Sequence, residues 1–138
     1  MVSFFVLLMT MVSGLAVSPS LAQEEEVITQ GRVYYQRYCA ACHGQAAKGN
    51  GPLAPDLKVK PADLTQMSKK SGGEFPFWRV YRVIEGREEV KGHGTREMPI
   101  WGTQFKIEIQ EENTETRAFR VAGRILVLVE YLRSIQAQ

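Results

Sequence analysis

Cysteine and histidine, the residues that supply most metal and redox sites, are scarce in this 138-residue chain, which contains two of each. A structural zinc site would need a second pair of such ligands, and outside the stretch Cys39–His43 only His93 remains. A disulfide between Cys39 and Cys42 would close too small a loop to stabilise the fold much. The composition therefore argues against a zinc domain and against a disulfide scaffold.

The chain also lacks the patterns typical of nucleic-acid-binding proteins, of β-sheets and of membrane spans. Its formal net charge is +2, with no basic run and no alternation of basic and aromatic residues, so nucleic-acid binding finds no support. Residues 105–109 are the single candidate strand, and the predicted fold class is all-α. The apolar run Ser3–Val17 is shorter than the roughly 20 residues that a span requires, so we expect no stable membrane span.

The first 22 residues predict an export signal. The apolar run is followed by the small residues Ser20 and Ala22, which suit cleavage by signal peptidase after Ala22. We therefore expect residues 1–22 to be a signal peptide, residues 23–138 to form one domain, and the mature protein to be periplasmic. No Lys or Arg precedes the apolar run, which departs from the usual signal sequence. The alternative is an N-terminal anchor that stays attached.

The most informative feature of the sequence is the run CAACH at residues 39–43. This spacing is typical of covalent haem c attachment, in which Cys39 and Cys42 form thioethers with the two vinyl groups of one porphyrin. His43 then falls beneath the iron, for which imidazole nitrogen is a good ligand. A thioredoxin-like redox pair would instead follow a strand in a βαβ unit, and the residues before Cys39 follow a helical pattern. The run therefore predicts one covalently bound haem c, with its iron.

The second axial ligand of that iron has three candidates, Met67, His93 and Met98. Pro99 restricts Met98 to an extended backbone and stiffens the loop that would present its thioether. Met67 lies on a short helix, where a methionine commonly fills the core, and His93 stands between two glycines in a turn. The sequence therefore favours Met98 as the ligand opposite His43, and methionine–histidine ligation raises the reduction potential.

The periodicity of apolar residues predicts four helices joined by glycine- and proline-rich loops. Residues 44–61 and 87–112 are predicted to be irregular. Gly86 is predicted to end the third helix as a left-handed cap. The helices are predicted at residues 24–38, at 62–70 with Pro61 near the first position, at 76–85, and from Asn113 or Thr114 to about Gln136.

Together these residues resemble the class I cytochromes c, in particular small exported bacterial ones. The resemblance implies that the terminal helices cross beside the haem, with Gly31 near Leu128 and Tyr131. It also implies that the carbonyl of Pro55 accepts the proton on the non-ligating nitrogen of His43. We further expect Tyr81 and Trp101 to belong to the apolar walls of the haem site. The stretch 106–116 has no counterpart in the family pattern.

The resemblance implies a periplasmic one-electron carrier rather than an enzyme. Its redox partner proteins would dock transiently at the exposed haem edge. The alternative is a dedicated haem c subunit of a periplasmic dehydrogenase or sulfur-oxidising complex, which would bind its partner tightly. A haem enzyme or gas-binding protein would need a distal acid–base pair or an open iron site, and the sequence offers no clear pair. Thiol–disulfide exchange would require Cys39 and Cys42 to be free of haem.

Overall fold

The structure, a computed structural model, describes residues 19–88 and 98–137 of the chain. Within these ranges the fold is all-α, as predicted, and contains no strand. The candidate ligand His93 lies outside the described residues, as does most of the predicted signal peptide. The α-helices are α1 (Pro19–Tyr38), α2 (Ala40–His43), α3 (Met67–Lys70), α4 (Phe77–Glu85), α5 (Trp101–Glu108) and α6 (Thr114–Ser134), with 3-10 turns at Ala54–Asp56 and Leu64–Gln66.

The first helix, α1, is longer than the predicted 24–38. Its described part begins at Pro19. Residues 20–26 are all exposed, so this part of α1 contributes little to the core. It runs through the predicted cleavage site after Ala22, and cleavage there stays a prediction. No helix among the described residues is long and apolar enough to cross a membrane.

The last helix, α6, contributes more residues to the core than any other described helix and matches its prediction closely. The side chain of Asn113 caps its start by accepting a hydrogen bond of 2.9 Å from the backbone N–H of Thr116. One face of the helix packs against α1, α4 and α5. The residues buried on that face are Val121, Ile125, Leu128, Val129, Tyr131 and Leu132.

The helices α1 and α6 cross with their backbones in contact at Gly31. A Cβ at this position would collide with the backbone carbonyl oxygen of Val127 and would lie 2.7 Å from the Cβ of Tyr131. One turn later, the rings of Tyr35 and Tyr131 pack with centroids 5.3 Å apart. The predicted close approach is therefore present and Tyr131 takes part in it. The other nearest neighbour of Gly31 is Val127 rather than the predicted Leu128.

The two ends of the connection from α4 to α5 lie in contact with each other. Gly86 ends α4 in a left-handed conformation with φ of 100°, as predicted. The side chain of Ile100 packs against Gly86, and a Cβ at Gly102 would lie 2.6 Å from the carbonyl oxygen of Glu85. The start of α5 is therefore held against the end of α4.

The prediction that residues 87–112 are irregular is wrong for residues 101–108, which form α5. The candidate strand at residues 105–109 is also wrong. Phe105 and Ile109 are buried while Ile107 is 68% exposed, so the apolar period is four residues rather than two. The apparent alternation arose because Ile107 carries an apolar side chain on the solvent side of the helix.

The predicted helix at residues 62–70 is divided into a 3-10 turn and the short helix α3. Asp63 caps the 3-10 turn, accepting from the N–H of Thr65 at 2.9 Å, so the cap lies beyond the predicted start at Ala62. The C-terminal tail is tied to this segment. Gln136 accepts from the N–H of Ser68 at 2.9 Å and donates to the carbonyl oxygen of Leu64 at 2.8 Å.

The contact at Gly31 leads to a prediction that two alanine substitutions will test. Gly31→Ala should destabilise the holoprotein by about 1–3 kcal/mol, because the added methyl group overpacks a backbone contact. Gly123→Ala is the matched control, since a Cβ there meets open space, and it should stabilise the protein by up to about 1 kcal/mol through helix propensity. Denaturant unfolding measures both. Equal effects of the two substitutions would contradict the crossing at Gly31.

Candidate haem site

The residues of the run CAACH are held in a single tight turn at the end of α1. The backbone N–H of Cys39 bonds to the carbonyl oxygen of Tyr35 at 2.8 Å, and the carbonyl of Cys39 accepts from Cys42 at 3.2 Å and from His43 at 2.9 Å. Helix α2 therefore follows α1 directly and carries Cys42 and His43 on its four residues. This arrangement brings both thiols and the imidazole together on one short element.

The environment of Cys39 is that of a packed thiol. Its side chain is partly buried against the core, and neither Cys39 nor Cys42 forms a disulfide. Burial raises the pKa of the Cys39 thiol to about 12, and the nearby Cys42 adds to the effect. Redox-active cysteines instead have lowered pKa values and accessible thiolates. The site therefore does not favour thiol–disulfide exchange.

His43 is a buried side chain, 7% exposed, and its ring is oriented by a backbone carbonyl. Its Nδ1 lies 3.0 Å from the carbonyl oxygen of Ala62. The resemblance assigned this contact to the carbonyl of Pro55, whereas the structure places the carbonyl of Ala62 at hydrogen-bonding distance. Pro55 is exposed in the 3-10 turn Ala54–Asp56, whereas the loop doubles back and brings its second half to the histidine.

The loop is held in this doubled form by backbone contacts on both of its halves. The N–H of Gly49 bonds to the carbonyl oxygen of His43 at 2.8 Å, and the N–H of Leu64 bonds to that of Ala47 at 2.7 Å. Gly49 has a φ of 73°, and a Cβ there would collide with the carbonyl oxygen of Pro61. Only a residue without a Cβ allows the loop segment that carries Ala62 to lie so close to His43.

Met98 lies at the entry to α5, on a segment fixed beside the cysteine turn. Its side chain is partly buried and packs against the core. Three residues later, the ring of Trp101 packs against that of Tyr38 with centroids 5.3 Å apart, and Tyr38 directly precedes Cys39. Met67 is also partly buried against the core, so burial alone does not distinguish the two methionines.

The two predicted wall residues have different surroundings. Trp101 is half-buried between Tyr38 and Phe105, whose ring centroid is 6.0 Å from its own. Tyr81 is half-buried on α4 and packs against the exposed Trp78 at 5.9 Å. Burial, and then the neighbouring Glu85, raises the pKa of Tyr81. The ring contacts thus join Trp101, but not Tyr81, to the cysteine turn.

The apolar side chains between the cysteine turn and α5 fit a large apolar cofactor. In the described residues from Leu53 to Trp101, the buried hydrophobic side chains are only Val80 and Ile84. A larger set is half-buried, which leaves apolar surface for a porphyrin to cover. Together with thiols, an imidazole and a thioether, this surface has the donors and the walls of a haem c site. The half-buried residues are Leu57, Val59, Leu64, Met67, Phe75, Phe77, Tyr81, Val83, Met98, Ile100 and Trp101.

A polar cluster beside the site was missed by the sequence analysis. The hydroxyl group of Tyr38 donates to Oε2 of Glu108 at 2.6 Å, and Nη1 of Arg124 lies 3.0 Å from the same oxygen. Glu108 belongs to the stretch without a family counterpart. Its role therefore had no motif to indicate it, and the three residues meet only through the packing of α1, α5 and α6.

Comparison with protein families places the chain among the class I c-type cytochromes. The family described as cytochrome c oxidase, cbb3-type, subunit III matches residues 26–111, more than half of the chain, and the chain belongs to it. Its cofactor is accordingly a covalently bound haem c with its iron, and its role is electron transfer through redox partners. Comparisons with curated proteins and with solved structures gave no match.

The doubled loop leads to a prediction about Gly49. Gly49→Ala should push the segment that carries Ala62 away from His43, which weakens the bond that orients the imidazole and lowers its basicity. The reduction potential and the thermal midpoint of the holoprotein should both shift. Gly72→Ala is a closely matched control, because Gly72 has a similar φ of 76° but no neighbour that a Cβ would meet. A potential that moves equally in both variants would contradict this account of Gly49.

Proposed function

We propose that the protein is a periplasmic one-electron carrier whose single haem c is attached through Cys39 and Cys42. His43 and Met98 would hold its iron. The observation that carries this proposal is the turn that holds both cysteines and the histidine, with the Met98 segment packed beside it through Trp101 and Tyr38. The bound haem supplies the redox couple, and the chain sets its potential and its access.

Each residue of the proposed haem site has a distinct role. The carbonyl oxygen of Ala62 accepts a hydrogen bond from Nδ1–H of His43. This bond fixes the orientation of the ring and leaves Nε2 to bind the iron. The thioether of Met98 is a soft ligand that favours the ferrous state and so raises the potential. Trp101 and Tyr81 provide apolar walls that exclude water, which favours the less charged form of the site.

Electron exchange with partner proteins takes place at the haem edge through small, transient contacts. The loop between α2 and α3 presents exposed lysines, which steer an acidic partner by long-range attraction. These are Lys48, Lys58 and Lys60. The protein is exported to the periplasm and its signal peptide is cleaved after Ala22, in accordance with the covalent attachment of haem outside the cytoplasmic membrane.

A second candidate function is that of a haem c subunit bound stably to a larger periplasmic redox enzyme, such as a dehydrogenase or a sulfur-oxidising complex. The exposure of large apolar side chains on α5 and α6 favours it, since Ile107 is 68% and Phe119 71% exposed. A stable partner would cover such residues. Co-purification of a catalytic subunit with the chain at native expression levels supports this candidate, and a chain that migrates alone supports the carrier.

Covalent attachment is tested by extraction of the purified protein with acidified acetone. Haem should stay on the polypeptide, because thioether bonds survive this treatment, and the mass should equal the chain from Gln23 plus one haem. Cys39→Ala or Cys42→Ala should reduce the yield of holoprotein sharply. Release of the haem into the solvent from the unsubstituted protein would contradict attachment through these cysteines.

The ligand assignment is tested by substitution of each candidate methionine. Met98→Ala should abolish the weak red absorption band of methionine–iron bonding in the ferric protein and should lower the reduction potential. Met67→Ala, a change to another half-buried methionine, is the matched control and should retain the band. If His93→Ala removes six-coordination while Met98→Ala leaves the spectrum unchanged, Met98 is not the ligand.

A further inference from the structure

We propose that Tyr38, Glu108 and Arg124 form a positioning cluster that holds the Met98 segment in place and so protects the methionine–iron bond from displacement. The proposal rests on the proposed ligation by Met98 and adds the residues that maintain it. None of the three is offered as a ligand, and they act through α5.

The cluster joins three helices at one carboxylate oxygen. Oε2 of Glu108, on α5, accepts from the hydroxyl group of Tyr38 on α1 at 2.6 Å and from Nη1 of Arg124 on α6 at 3.0 Å. Hydrogen bonds to a carboxylate are shorter and stronger than those between neutral groups. The side chains of Arg124 and Glu108 are 25% and 36% exposed, so salt screens them less than a fully exposed ion pair.

Aromatic rings fix the orientation of the same groups. The guanidinium carbon of Arg124 lies 5.5 Å from the ring centroids of both Tyr34 and Phe105, an arrangement that favours a cation above aromatic faces. Burial, and then the hydrogen bond to Glu108, raises the pKa of Tyr38. Tyr38 therefore keeps its proton and stays a donor well above neutral pH.

Tyr38 holds α5 at both of its ends. Its hydroxyl group bonds to Glu108 at the last residue of the helix, while its ring packs against Trp101 at the first residue and against Phe105 between them, with centroids 5.3 and 5.1 Å away. A helix of eight residues that is held at two points cannot slide or rotate independently of α1. Because Tyr38 adjoins Cys39, the helix is fixed relative to the point of haem attachment.

The position of α5 determines the position of Met98. Two residues, Pro99 and Ile100, separate Met98 from Trp101 along the chain. Pro99 removes freedom between them, and Ile100 packs against Gly86. Loss of the bond between Tyr38 and Glu108 releases the end of α5 and allows the helix to tilt about its start. The segment before α5 then moves with it, and the thioether leaves the iron more readily.

The test is the affinity of the ferric holoprotein for imidazole, which competes with the methionine for the iron. Tyr38→Phe retains the ring and removes the hydroxyl group, and it should raise the affinity about tenfold, which corresponds to the strength of one hydrogen bond to a charged group. Tyr34→Phe is the matched control on the same helix, since the contact of Tyr34 with Arg124 is through its ring, and it should bind imidazole as the unsubstituted protein does.

Two further comparisons separate positioning from general stability. Glu108→Ala should raise the imidazole affinity as Tyr38→Phe does. Glu108→Gln should raise it less, because the amide oxygen still accepts from the hydroxyl group of Tyr38. The double variant Tyr38→Phe/Glu108→Ala should bind imidazole little more tightly than either single variant. Gly31→Ala destabilises the helix crossing but removes no group of the cluster, and it should lower the melting temperature without a comparable gain in imidazole affinity.

The outcomes distinguish failure of the cluster from failure of the ligand assignment. If Met98→Ala raises imidazole affinity strongly while Tyr38→Phe and Glu108→Ala leave it unchanged, Met98 is the ligand and the positioning cluster is overturned. If Met98→Ala binds imidazole no more tightly than the unsubstituted protein, the ligand assignment is wrong and the proposal about the cluster falls with it.

Discussion

The contact between the backbones of α1 and α6 at Gly31 is the constraint on which the rest of the structure depends. It sets the distance at which the two longest helices cross. Tyr35, one turn along α1, then fills the space beside Tyr131, and its hydroxyl group donates to the carbonyl oxygen of Gly44 at 2.7 Å. The helix crossing thereby locates the turn that carries Cys39 and His43, since that turn lies between Tyr35 and Gly44.

The candidate site is assembled from backbone as much as from side chains. The carbonyl beside His43 comes from Ala62, and Gly49 allows the chain that carries it to approach. On the other side, Gly86 gives Ile100 the room to hold the start of α5. Glycines at close crossings thus determine where the imidazole and the Met98 segment lie, while the ligand types determine what chemistry is available there.

Apolar periodicity and caps, which are local signals, predicted the helical class and the boundaries of α4 and α6, whereas the crossing at Gly31 was implied by the family resemblance. These signals did not predict α5, since Ile107 is apolar on an exposed face and imitates a strand. The contact of His43 with Ala62 was not predicted, because the partner of a buried histidine depends on how a loop doubles back, which local pattern does not encode. The hydrogen bond between Tyr38 and Glu108 joins residues 70 positions apart in the sequence, so no local periodicity could predict it.

The ties made by Gln136 have a consequence for the speed of electron exchange. Its amide group donates to the carbonyl oxygens of Leu64 and Leu132 and accepts from the backbone N–H of Ser68. Gln136 thereby holds the segment that follows Ala62 against α6. If His43 holds the iron as proposed, a carbonyl partner braced in this way leaves the imidazole little freedom to relax when the iron changes its charge. Preorganised dipoles of this kind cost little reorganisation at the moment of reaction, so the tail of the chain contributes to a low barrier for electron transfer at a centre that it does not touch.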